Sequence, residues 1–221
     1  MSVKENLHKI KSELPSHVIL IAVSKTKPNN LIQEAYDAGQ RDFGENYVQE
    51  LADKQTQLPE DIRWHFIGHL QSNKVKYIAP FVYLIHGVDS LKLLEEINKQ
   101  GKKHNRIINC LLQVYIANEE TKFGLSFDEC ESILNSEIVS KLENIKICGF
   151  MAMATNTEDE TQIRKEFKSL KEFHSEIEKN SGIKLPILSF GMSSDYKIAI
   201  EEGSTMLRIG SSIFGERIYT N

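Results

Sequence analysis

HVILIAVSK (residues 17–25), followed by TKP and the helical pattern NNLIQEAYDAG (29–39), is the unit whose reading decides the fold. A β-branched apolar run that stops at polar residues and then turns amphipathic reads as a strand feeding a helix. Seven further runs repeat the unit: RDFGEN (41–46), IRWHFIG (62–68), FVYLIHGV (81–88), IINCLLQVYI (107–116), IKICGFMAM (145–153), LPILSFGM (185–192) and STMLRIG (204–210). Amphipathic stretches such as SLKLLEEINKQG (90–101) and TEDETQIRKEFKSLKEFHSEIEKNSG (157–182) lie between them. Eight strands, each followed by a helix or a turn, predict class α/β and a single (β/α)8 TIM barrel. Their nearly continuous apolarity fits a parallel sheet covered on both faces. A doubly wound open sheet is the alternative that pattern alone leaves. An extra N-terminal helix is expected over 2–14. Pro28 is expected to open a helix, and Gly39, Gly101 and Gly203 to close others.

The net charge of −4, with basic residues scattered along the chain, argues against a nucleic-acid or anionic-membrane surface. No apolar run approaches the roughly 20 residues that span a bilayer. The start, MSVKENLHKIKSELP, is polar and lacks the apolar core of a secretion signal, so a cytoplasmic protein is expected. With no linker, low-complexity tract or shift in composition, residues 1–221 read as one domain. Cys110, Cys130 and Cys148 have neither CxxC spacing nor even number, and read as buried reduced thiols.

In a barrel of this kind, functional residues occupy the C-terminal ends of strands and the loops beyond. Alternation puts Ile19, Ile21, Val23 and Lys25 on one face of the first strand. If that face is interior, Lys25 reaches the mouth from apolar surroundings, where desolvation favours a neutral amine nucleophilic toward aldehydes. Taken singly, it reads as an ordinary solvated lysine. Lys27 directly precedes Pro28 and belongs to the loop. Asn46 ends the second strand, either as a polar group at the mouth or as a helix cap. Glu45 and Glu50 read as the start of a helix.

His65 and His69 stand four apart, but in a strand that separation is about 13 Å, too far for one metal. One of them stacks or hydrogen-bonds at the site; a satisfied structural histidine is the stronger alternative. Arg208 interrupts the eighth strand. A buried guanidinium must find acceptors, which a ligand in the mouth supplies; a surface arginine paired with an acidic helix residue is the alternative. GMSSD (191–195) and GSS (210–212) follow the last two strands. Small residues there allow close backbone approach and offer amides and hydroxyls. A helix N-terminus beyond each adds a favourable dipole, and barrels often bind phosphate at this place.

VSKTKP (23–28), FGENYVQE (43–50), WHFIGHLQSNK (64–74), EETKFG (119–124) and LSFGMSSDY…GSTMLRIGSSIFG (188–215) resemble the pyridoxal 5′-phosphate (PLP) homeostasis proteins. These YggS/PROSC-type proteins are relatives of the N-terminal barrel domain of alanine racemase. The matching stretches run in order over nearly the whole chain. The resemblance implies an alanine-racemase-like barrel with PLP held on Lys25 as a Schiff base, and a role in buffering PLP and balancing amino-acid pools. Carried over by position, Ser193, Ser194, Gly210 and Ser211 hold the phosphate. Arg208 faces the pyridine nitrogen, Asn46 and His65 line the ring, and Lys122 lies near the mouth. Tyr115 departs from the family, whose members commonly carry Asn there.

The resemblance also implies a carrier and not an enzyme. An arginine at the pyridine nitrogen keeps it unprotonated and weakens carbanion stabilisation. The racemases add a tyrosine base from a separate domain and partner subunit, and a chain ending at Asn221 is not expected to contain that domain. A minimal racemase, or a Schiff-base aldolase acting on a sugar phosphate, is the alternative of another class. The expected partners are PLP and apo forms of PLP-dependent enzymes, and the expected state is a monomer without metal.

Overall fold

A computed structural model describes residues 2–117 and 124–216. The eight runs form β1 (Ile19–Val23), β2 (Asp42–Glu45), β3 (Arg63–Phe66), β4 (Leu84–Val88), β5 (Ile108–Gln113), β6 (Ile145–Met151), β7 (Ile187–Ser189) and β8 (Met206–Ile209). All are parallel and paired in chain order. Because β1 pairs with both β2 and β8, the sheet is a closed barrel, which removes the open doubly wound alternative.

The helices are α1 (Val3–Glu13), α2 (Asn29–Asp37), α3 (Val48–Gln55), α4 (Val75–Ile78), α5 (Leu91–Lys103), α6 (Phe127–Leu134), α7 (Glu137–Ser140), α8 (Glu160–Ser181), α9 (Tyr196–Glu201) and α10 (Ser211–Phe214). Helix α1 is the extra element. Ser2 and Glu5 form a capping box at its start, and Val3, Leu7 and Ile10 form its buried stripe. Asn6 Nδ2 donates to Ile213 O at 3.0 Å, tying α1 to the end of the barrel chain. Among the described residues, no helix is long and apolar enough to cross a membrane.

Alternation along each strand divides the apolar side chains into two sets. On β1, Leu20 and Ala22 join the layer shared with the helices, while Ile21 meets Leu84, Leu111, Cys148, Met151 and Met206 inside the barrel. Both Cys148 and Met151 reach the interior because β6 carries a bulge: Cys110 pairs with Ile147, but Leu111 pairs with Gly149. At Gly149, φ is +150°, and a Cβ would lie 1.8 Å from Ile187 O, so only glycine lets β6 and β7 approach here.

Pro28 caps the start of α2, and Gly39 and Gly203 follow the ends of α2 and α9 with positive φ, as expected. Gly101 instead lies within α5, where a Cβ would meet Asn144 O at 2.7 Å. It is small because the turn before β6 presses on the helix. The three cysteines are unpaired and buried. Burial pushes the Cys130 thiol up to about 12 and raises the other two as well, so all three behave as small apolar side chains.

Candidate functional site

Lys25 lies two residues beyond β1, half-buried in a turn whose next residue, Thr26, has φ +62°. A buried ion-pair network pins that turn. Lys54 Nζ donates to Ser24 O at 2.8 Å, Glu45 Oε1 at 2.9 Å and Glu50 Oε1 at 2.6 Å. Ser24 Oγ donates to Glu45 Oε1 at 2.6 Å, and Thr26 N–H to Glu50 Oε1 at 2.6 Å. Burial raises the Glu45 carboxyl and Lys54 opposes that rise. Such charges are tolerated inside only when paired and hydrogen-bonded; Glu45 meets this through Oε1, while its Oε2 has no partner among the described residues. Glu45 therefore closes β2 and does not begin a helix; Glu50 alone lies in the first turn of α3.

Lys27 Nζ donates to the carbonyls of Phe214, Gly215 and Glu216 at 3.2, 2.9 and 2.8 Å. That role clamps the end of α10 and distinguishes it from Lys25.

A cavity of about 420 Å³ opens at the C-terminal mouth and brings together Lys25, Asn46, Ser193, Ser194, Arg208, Gly210 and Ser211. This volume suits a small ligand. Asn46 does not cap α3, whose cap position is Tyr47. Its Oδ1 is buried and has no hydrogen-bond partner among the described residues, a cost that a donor able to reach it would remove. The two loops touch: Gly210 N–H points at Ser193 Oγ, 3.4 Å away. A Cβ at Gly210 would come within 3.2 Å of Val23 O, so glycine keeps the cradle open. The helices beyond the loops, α9 and α10, have only six and four residues. The expected dipole contribution is therefore small, and hydroxyls and peptide N–H groups supply the donors.

Arg208 is buried and points into the barrel, which overturns the surface ion-pair alternative. Its Nη1 donates to Ser189 O at 2.7 Å and Ser189 Oγ at 2.8 Å, and its Nη2 to Ala152 O at 2.9 Å. Burial lowers the guanidinium to about 10, which leaves it charged at neutral pH. At most three of its five N–H groups are used by these contacts. Lys25, Lys27 and Arg208 line the cavity, and no described carboxylate residue does. In a chain of net charge −4 this is a local anion trap.

His65 is the predicted residue that the structure does not bring to the cavity. It lies fully buried within the barrel, with Nε2 3.1 Å from Asp42 Oδ1 and Nδ1 3.0 Å from His86 Nε2. Residue 67, two positions on, takes the lining place as Ile67. His69 pairs with Asp89 at 3.1 Å. Lys122 lies outside the described residues. Among the described residues, no group of three or more His, Cys, Asp and Glu side chains is placed to hold a metal. Ser24, Lys54, Ser189 and His86 escaped the sequence reading; for Ser189 and His86 the available signal was a polar side chain at an inward position of an otherwise apolar strand, while Lys54 on α3 and Ser24 beyond β1 carried none.

Asp42, below this site, makes a testable contribution to stability. Burial opposes its ionisation, but hydrogen bonds from Arg63 and His65, with the positive charge of Arg63, outweigh it and hold the carboxyl at about 2, against 3.8 unfolded. The folded state thus binds the proton less readily than the unfolded one. The resulting stabilisation, on the order of 2 kcal/mol, is complete above about pH 5 and is lost as pH falls toward 2. Urea unfolding at pH 6 and pH 3 should show this extra acid loss in the wild type, and a smaller one in Asp42→Asn.

The chain matches the family described as alanine racemase, N-terminal domain, over residues 1–218. It is 41% identical over 201 residues to the pyridoxal phosphate homeostasis protein of Aquifex aeolicus, covering 90% of this chain and 87% of that one. The protein of the same name from Vibrio alginolyticus is 38% identical over 234 residues, 99% of each chain. Among solved structures, PipY of Synechococcus elongatus PCC7942 with PLP bound superposes with a TM-score of 0.89 at 37% identity, covering 97% of this chain and 100% of that one.

Proposed function

This chain belongs to the alanine racemase N-terminal domain family and, within it, to the pyridoxal phosphate homeostasis proteins, and from that premise we propose that it holds and buffers PLP at the barrel mouth. The observation that carries the reading is the cationic cavity itself. It joins a half-buried lysine, two hydroxyl-bearing loops, a buried arginine and the Asn46 side chain within about 420 Å³. When bound, PLP supplies an aldehyde that condenses with amines and a ring that withdraws electrons. Lys25 would be the amine that holds it through the aldehyde. Ser193, Ser194 and Ser211, with the peptide N–H groups at 210–211, receive the phosphate. Asn46 would serve as a polar group beside the ring, and Arg208 would offer its unused N–H groups toward the ring nitrogen. His65 acts from below the cavity and does not line the ring.

Uptake of PLP should produce a visible chromophore that borohydride bleaches, with the adduct mapped by mass spectrometry to the peptide carrying Lys25. An adduct on Lys27 would overturn the assignment, and a colourless protein that refuses PLP would return the site to the sugar-phosphate aldolase reading.

The carrier role, delivery to apo-enzymes, a monomeric state and a cytoplasmic location form one reading with this site. It is supported by the names of the relatives and by the chemistry of the cavity, whose described lining holds no histidine, tyrosine or carboxylate beside Lys25 and Lys27. A positioned acid or base typically contributes about 10² to 10⁴ in rate. Arg208 at the ring nitrogen weakens carbanion stabilisation further. With saturating L-alanine in deuterated water, α-proton exchange should run well below about 1 s⁻¹, the slow edge of ordinary turnover. Faster exchange, read by NMR, would make the protein a minimal racemase.

A further inference from the structure

The buried histidines that the proposed site leaves unused form a continuous chain with it. Arg208 Nη1 meets Ser189 Oγ at 2.8 Å, Ser189 Oγ meets His86 Nδ1 at 3.0 Å, His86 Nε2 meets His65 Nδ1 at 3.0 Å, and His65 Nε2 meets Asp42 Oδ1 at 3.1 Å. Arg63 completes the far end with two hydrogen bonds to the Asp42 carboxylate. His65, His86 and Ser189 are fully buried, and Asp42 and Arg208 are 8% and 5% exposed. The chain crosses the barrel from the pocket beside Asp42 and Arg63 to the cavity at the opposite mouth.

The chemistry of its end dictates the direction of every link. An ionised carboxylate only accepts, so His65 carries its proton on Nε2. Complete burial lowers both imidazoles, outweighing in His65 the opposing pull of Asp42, and favours neutral rings; His65 Nδ1 is then a bare lone pair and accepts from His86 Nε2–H. His86 Nδ1 is then bare too, and the Ser189 hydroxyl donates to it. Its oxygen is left to accept from Arg208. All four donors point the same way, and aligned hydrogen bonds polarise one another. Arg208 has no carboxylate in direct contact among the described residues; its acceptors are two carbonyls and this hydroxyl.

We propose that Ser189, His86, His65 and Asp42 form a one-way hydrogen-bond relay that fixes Arg208, as a cation in a single orientation, at the floor of the cavity. His65 and His86 are positioning residues acting through Ser189. The effect on ligand rests on the reading that the cavity takes PLP; the relay itself does not.

Two measurements test it. Long-range ¹⁵N–¹H NMR of the histidine-labelled protein without PLP should find His65 and His86 both neutral and protonated on Nε2 between pH 6 and 8. A proton on Nδ1 of either ring, or a charged ring in that range, overturns the relay. In the PLP-loaded protein, His86→Phe keeps the ring bulk but breaks both links. It should weaken PLP affinity about tenfold and move the visible absorption maximum or its pH titration, which a merely structural role would not. Unchanged affinity and spectrum overturn the proposal. Should the variant not fold, the tautomers of the wild type decide. Should the wild type take no PLP, the cofactor reading fails while the tautomers still judge the relay.

Discussion

Lys25→Ala is expected to abolish the borohydride-stable attachment of PLP completely while the barrel stays folded. The lysine sits half-buried in its turn, and the hydrogen bonds among Ser24, Thr26, Glu45, Glu50 and Lys54 that shape the turn remain when its side chain is removed. Removing it opens no core cavity, so unfolding without ligand should change by under about 1 kcal/mol. PLP that still binds must do so reversibly, through phosphate and ring contacts alone, and dialysis should remove it. Lys27 cannot take over without giving up its three carbonyls at the end of α10. The measurements are the visible spectrum before and after borohydride, intact mass, and the urea midpoint. A full-strength chromophore in the variant would show that another amine carries the cofactor.

Ser193→Ala combined with Ser211→Ala should weaken PLP retention by about 10² to 10⁴. Each hydroxyl offered to a phosphate dianion makes a charge-assisted hydrogen bond worth roughly 1.5–3 kcal/mol, and every 1.4 kcal/mol is about a factor of ten. Pyridoxal, which has the aldehyde and ring but no phosphate, should lose little. The contrast between the two ligands is the test, because general damage to the mouth would weaken both. Ser193 also accepts from Gly210 N–H, so its loss loosens the junction of the two loops as well. Equal losses for PLP and pyridoxal would move the phosphate away from these loops.

The barrel was legible in the chain because its evidence is periodic and local. Eight apolar runs, with polar amphipathic segments between them, allow few arrangements, and alternation on β1 already placed Ile21 and Lys25 on one face. The strand-end rule then located the mouth, so Lys25, Asn46, the two serine loops and Arg208 could be named from position and chemistry. The family resemblance added the identity of the ligand, which no periodicity encodes.

What the chain alone did not decide was pairwise partnership between distant residues. Closure of the sheet rests on β1 meeting β8, a contact between Ile21 and Arg208 that no local pattern contains. Lys54 reads as an ordinary polar residue on α3 until β2 brings Glu45 beneath it. His65 carries the family motif, yet its depth in the barrel makes it a partner of Asp42 and His86, not a wall of the cavity. Gly101 looks like a helix end until Asn144 is seen pressing on it. Residue type and spacing along one strand determine which face a side chain takes. The depth at which it lies, and the polar group that must satisfy it there, depend on neighbouring strands far away in sequence, because an uncompensated buried charge or polar group costs several kcal/mol. Only the closed barrel supplies those neighbours.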